Sequence, residues 1–164
     1  MKHQEIMSNT KENKMKLGEH IPSFSLEDHK GNWFNSDEYL YKKYFVLFFY
    51  PMDFTPGCTK EACYFRDINA EFEKLDALVL GINGQSKTSH DKFATKHNLN
   101  YPLLSDKKAV LTKRLGVKKT LGLITPRETF VFNKEGKLIK HISSNQSNIH
   151  IDEAIEAIKK DQEN

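Results

Sequence analysis

Apolar and polar positions along the chain change period several times, and each change marks an element. Ser23-Phe24-Ser25-Leu26 alternates, the turn-forming run Asp28-His29-Lys30-Gly31-Asn32 follows, and Trp33 and Phe34 resume the apolar pattern: a short hairpin. Phe45 to Tyr50 is a continuous apolar run stopped by Pro51, the signature of a strand covered on both faces. After a loop from Pro51 to Gly57, Phe65, Ile68, Phe72 and Leu75 recur at helical spacing, which predicts a helix from about Cys58 to Leu75. Ala77 to Ile82 reads as a second buried strand. Ser89 to Asn98 and Lys107 to Leu115 read as helices separated by the extended Tyr101-Pro102-Leu103-Leu104. Thr129 to Phe132 and Lys137 to Ile142 flank the turn Asn133-Lys134-Glu135-Gly136, a second hairpin. Ile151, Ala154, Ile155 and Ile158 define a last amphipathic helix.

A βαβ half followed by a ββα half resembles the element order of the thioredoxin fold. The expected architecture is α/β, with a mixed central sheet flanked by helices and an added N-terminal β-hairpin. At 164 residues the chain suits one domain. Residues 1–15 are polar and aperiodic and read as a disordered extension, leaving 16–164 as the single folded domain.

Charge and apolar content narrow the class. A net charge of +3 spread along the chain gives no basic stripe for nucleic acid. The longest apolar stretch, Tyr44 to Tyr50, is far short of the ~20 residues that span a bilayer. The N-terminal segment lacks the apolar core of a secretory signal, so a cytoplasmic location is expected, with the cysteines at rest as thiols.

Candidate chemistry sits in Pro51-Met52-Asp53-Phe54-Thr55-Pro56-Gly57-Cys58, with Cys63 five residues further on. Thr55 followed by Pro56 fits an N-cap and a proline at the first helical position. Cys58 then falls in the first turn, where unpaired backbone N–H groups and the positive helix end favour a thiolate. Gly57 lets backbone and substrate approach closely. On an intact helix the two cysteine Cα atoms stand about 8–9 Å apart, beyond the ~7 Å reach of a disulfide. Pairing them requires the first turns to unwind. Taken alone, Cys63 reads equally well as a small buried hydrophobe. A zinc site would want a second close ligand pair, which is missing.

These residues resemble the peroxiredoxin pattern Pro-x-x-x-Thr-x-x-Cys, and with Glu61-Ala62-Cys63 the branch called bacterioferritin comigratory protein or peroxiredoxin Q. Val79 to Ile82, Leu103 to Asp106, Leu115 to Val117 and Arg127 to Val131 support the likeness, which runs from about Lys16 to the last helix. The resemblance implies a thiol-dependent peroxidase acting on hydrogen peroxide and organic hydroperoxides, without a cofactor. It assigns Cys58 as the peroxidatic cysteine that becomes a sulfenic acid, and Thr55 as hydrogen-bonding peroxide and thiolate. Pro51 shields the site from water, and Arg127 steadies the thiolate and the leaving oxygen. Arg127 is one of three arginines against 22 lysines. The resemblance makes Cys63 the resolving cysteine, forming an intramolecular disulfide that thioredoxin or a glutaredoxin reduces. One chain suffices for this scheme, which favours a monomer over a dimer. Glu61 fits either the polar network of the site or a solvated first-turn carboxylate.

The chain departs from its relatives at Asn83-Gly84, where they often show Ser. It also lacks a third cysteine and a Tyr-Phe arm near the C-terminus, so the eukaryotic two-cysteine dimer mechanism does not fit. Two rival readings are a thioredoxin-like disulfide oxidoreductase, which would favour Cys-x-x-Cys, and a non-enzymatic redox sensor. None of the seven scattered histidines is needed for catalysis in any of these readings.

Overall fold

The two continuous apolar runs become the middle of a sheet, because strands buried on both faces have nowhere else to go. The computed structural model describes residues 14–118 and 127–164. In chain order the elements are β1 (Ser25–Asp28), β2 (Trp33–Asn35), β3 (Tyr44–Phe49), α1 (Pro56–Lys74), β4 (Ala77–Asn83) and α2 (Lys87–Lys96). β5 (Leu103–Ser105), α3 (Val110–Arg114), β6 (Glu128–Phe132), β7 (Leu138–Ser143) and α4 (Ser147–Glu163) complete them. The strands form one seven-stranded sheet in the order β2-β1-β5-β4-β3-β6-β7. β3, β4 and β5 run parallel; β6 and β7 are antiparallel on one side, and the β1–β2 hairpin joins the other through β5. The expected mixed sheet is present, and the hairpin is part of it rather than an appendage.

Alternation along β3 feeds two cores. Val46, Phe48 and Tyr50 face α1, α2 and α4, where Phe65, Phe72, Phe93, Ile151 and Ile158 are buried. Phe45, Leu47 and Phe49 face the other way, onto Phe130, Phe132, Leu111 and Leu115. Phe48 stacks on Phe65 with ring centroids 4.4 Å apart, which fixes α1 across the sheet. Each such side chain contributes about 1.5–3 kcal/mol by leaving water.

α3 is shorter than the expected Lys107–Leu115 helix. Ala109 takes a left-handed φ of 54°, and the Asp106 carboxylate accepts the N–H groups of Val110, Leu111 and Thr112 and the Thr112 hydroxyl. An aspartate cap sets that start, not the apolar period. At the N-terminus, the Met15 N–H donates to the Leu115 carbonyl at 3.1 Å and Lys14 pairs with Glu128. Both residues fall in the stretch read as an extension; the rest of it, 1–13, lies outside the described residues.

Candidate active site

β3 ends at the sheet's C-terminal edge, and Pro51 turns the chain into the loop that feeds α1. Proline halts the strand because it has no N–H for the ladder. Phe54, in this loop, holds a φ of 67°, a conformation costly for an aromatic residue. Its ring packs edge-on against Phe93 of α2 at 5.1 Å. Thr55 is the N-cap of α1 and Pro56 its first residue, as expected. The Thr55 side chain behaves differently: its hydroxyl donates to the Met52 carbonyl at 3.0 Å instead of capping the helix. The backbone N–H groups of Gly57 and Cys58 therefore keep no side-chain cap.

Cys58, the third residue of α1, is 1% exposed and unpaired. Arg127 lies directly against this turn. A Cβ built on Gly57 would stand 1.8 Å from Arg127 Nη2 and 2.7 Å from its Cζ, so any larger residue would push the guanidinium off this turn. Arg127 Nη1 donates to the Asn145 carbonyl at 3.2 Å. A guanidinium at the positive end of a helix is repelled unless an anion sits between them. The site is thus built to hold an anion, such as a thiolate or a peroxide oxygen bearing developing charge. Cys63, half-buried and also free, lies on the same intact helix.

The loop is held from beneath by an aspartate to which the sequence reading gave no role. Asp53 is buried; Oδ1 accepts the Tyr50 hydroxyl at 2.6 Å, and Oδ2 accepts from the Ser89 hydroxyl at 2.9 Å and His90 Nδ1 at 2.7 Å. Burial, with Asp53 alongside, holds the Tyr50 phenol well above its ordinary range. The Asp53 N–H donates to Gln85 Oε1, and the Gln85 N–H donates to Asn83 Oδ1 at 2.9 Å. Asn83 therefore braces the active-site loop. A lone carboxylate between apolar Met52 and Phe54 was the available signal.

Glu61, one turn below Cys58, is 1% exposed, which rules out the solvated reading. Neither carboxyl oxygen has a hydrogen-bond partner among the described residues. Burial raises its pKa to about 8, while the charge of Arg127 pulls it back. His150 of α4 comes within 3.6 Å of it. That ring is already engaged: Nε2 donates to the Ser144 carbonyl at 2.7 Å, leaving Nδ1 to accept from the Thr129 hydroxyl at 2.8 Å. Burial lowers the His150 pKa. The structure brings Cys58, Gly57 and Arg127 together, with Thr55 and half-buried Pro51 on the loop that leads in.

The AhpC/TSA family matches residues 17–141. The chain belongs to that family. Within it, the chain is 40% identical over 148 residues to Peroxiredoxin Bcp of Bacillus subtilis, covering 87% of each protein. It aligns with the crystal structure of peroxidoxin BcpB from Mycobacterium tuberculosis at a TM-score of 0.82 and 37% identity, over 89% of this chain and 97% of that one. A bacterioferritin comigratory protein from Xanthomonas campestris, described by its alkyl peroxide reduction activity, matches at a TM-score of 0.77 and 30% identity, over 84% of this chain and 90% of that one. Its AhpC/TSA relatives of the Bcp and peroxiredoxin Q kind are peroxidases, and the thioredoxin-like fold is theirs.

Proposed function

We propose that this peroxiredoxin reduces hydrogen peroxide and organic hydroperoxides through Cys58. The observation that carries the reading is a buried thiol in the first turn of α1, with the Arg127 guanidinium lying against the adjacent Gly57. The Cys58 thiolate attacks one peroxide oxygen and the O–O bond breaks. The departing oxygen leaves as an alkoxide or hydroxide, stabilised by Arg127 and then protonated to an alcohol or water. Cys58 is left as a sulfenic acid. The Cys63 thiol then displaces water from it to give a Cys58–Cys63 disulfide. A dithiol protein, thioredoxin or a glutaredoxin, restores both thiols by exchange. Thr55 turns its hydroxyl toward the peroxide from the Met52 carbonyl, and Pro51 limits water entry. The scheme runs in one chain, in a reducing compartment such as the cytoplasm.

One equivalent of hydrogen peroxide added to reduced protein, followed by rapid quenching, intact mass and peptide mapping, tests it. Wild type is expected to lose about 2 Da, mapped to a Cys58–Cys63 link, and Cys63→Ser to carry a trappable sulfenic acid on Cys58. Oxidation of Cys63 first, or a Cys58 that stays reduced for minutes, overturns the assignment. Insulin-disulfide reduction by the dithiol form would favour the oxidoreductase reading instead.

A further inference from the structure

The resolving step poses a mechanical problem, since Cys58 and Cys63 lie on one intact helix about 8–9 Å apart at Cα. We propose that Glu61, a carboxyl buried between the two cysteines without a hydrogen-bond partner among the described residues, drives the first turns of α1 to unwind and so lets Cys63 reach Cys58. The inference rests on the peroxidase reading above and concerns its second step only.

A buried polar group without a partner weakens the conformation that buries it. Glu61 sits inside the very segment that has to open, and opening returns both its oxygens to water. Among the described residues no neighbour hydrogen-bonds it in the closed form. Arg127, at the start of β6, attracts it without a hydrogen bond. His150 of α4 stands 3.6 Å away with its Nε2 proton committed to Ser144. The Tyr101 hydroxyl, ahead of β5, donates to the Ala62 carbonyl. On its own helix Cys58 and Cys63 flank it.

The helix is also divided where the proposal needs it to be. From Arg66 onward α1 is tied down: Arg66 Nη1 donates to the His97 carbonyl at 2.6 Å, Asn100 Nδ2 to the Arg66 carbonyl at 3.2 Å and Asn69 Nδ2 to the Asn100 carbonyl at 3.1 Å. Phe65, just ahead of these ties, and Phe72 among them are fully buried. Between Cys58 and Cys63 the one such tie among the described residues is Tyr101 to Ala62, at 2.6 Å. Unwinding stops where the anchors begin.

The drive depends on pH with a definite sign. In the closed helix Glu61 titrates at about 8, against an ordinary 4.5 once exposed. Below 4.5 both forms are protonated and the closed helix keeps its full stability. Between 4.5 and 8 unwinding releases a proton, so each pH unit favours the open form about tenfold. Above 8 the effect levels off, about three and a half powers of ten from where it began.

Amide hydrogen exchange on reduced protein from pH 5 to 8.5, corrected for intrinsic rates, tests this for residues 57–64 against residues 66–74 as internal reference. Wild type is expected to lose protection in 57–64 by up to about tenfold per pH unit, with 66–74 unchanged. Glu61→Gln and Glu61→Met are expected to abolish that slope. In single-turnover quenching, the ratio of the wild-type to the Glu61→Gln rate of disulfide formation should rise with pH, the Cys63 thiolate dependence cancelling in the ratio. A flat wild-type exchange profile, or a slope shared by 66–74, overturns the proposal. Absence of a sulfenic acid on Cys58 would instead sink the peroxidase reading, and the exchange comparison would still decide on Glu61.

Discussion

The two halves of α1 obey opposite rules. Its second half, from Phe65 to Lys74, buries Phe65 and Phe72 completely and ties Arg66 and Asn69 to the segment before β5. Its first half carries a glycine, both cysteines, a buried carboxyl with no hydrogen-bond partner among the described residues, and an uncapped start. One continuous helix therefore joins a well-satisfied anchor to a poorly satisfied head. In the proposed scheme the reactive cysteine uses the head's free N–H groups, and a resolving cysteine on the same helix needs the head to open. Stability is sacrificed locally where the chemistry requires it, and the anchor supplies it elsewhere.

The strongest way to break this contrast is to damage the anchor. Phe65→Ala removes the ring stacked on Phe48 and is expected to cost about 3–5 kcal/mol of global stability in denaturant unfolding. The Cys58 oxidation rate of the folded fraction should stay near wild type. A large loss of rate with little loss of stability would show that the halves are not separable.

Arg127→Ala should do the reverse. It removes the charge that rests on Gly57 and is expected to slow peroxide reduction on the order of 10²–10³-fold, with little change in unfolding. Stopped-flow kinetics of Cys58 oxidation gives the rate. Asp53→Asn probes the loop between the two regimes. It removes the charge that accepts from Tyr50, Ser89 and His90, at an expected cost of about 1.5–3 kcal/mol, together with a slower peroxide step as the loop loosens. An unchanged midpoint would mean that the network is not what holds the loop.

How much of this contrast was legible beforehand follows from the range of the forces involved. The strands at Phe45 and Ala77 and the helix through Phe65 and Phe72 were readable because burial writes its period locally. Cys58 at a helix start was readable because Thr55-Pro56-Gly57 is local punctuation. Arg127 entered only through resemblance, since nothing near it in the sequence says that it lies on Gly57. Glu61 stayed ambiguous because a first-turn carboxylate is usually solvated; its surroundings include Arg127 and His150, distant in sequence and close in space. Asp53 was missed for the same reason, its partners Ser89 and His90 lying on α2. The Thr55 hydroxyl's partner was not readable, because the Met52 carbonyl comes within its reach only in the folded loop.

The smallest change tests the contrast most finely. Tyr101→Phe deletes one hydroxyl, the donor that holds the Ala62 carbonyl between the two cysteines. The loss of one such hydrogen bond costs about 1 kcal/mol, and the exposed carbonyl regains a partner when the head opens to water. Because the ring remains packed against Phe48 and Phe65, the anchor is untouched. Global stability should therefore fall only slightly, while disulfide formation after sulfenic acid speeds up about fivefold, the factor that 1 kcal/mol gives. Rapid-quench mapping of the Cys58–Cys63 link measures that rate directly. An unaltered rate would mean that the head already opens faster than Cys63 attacks, so that chemistry and not unwinding limits the second step.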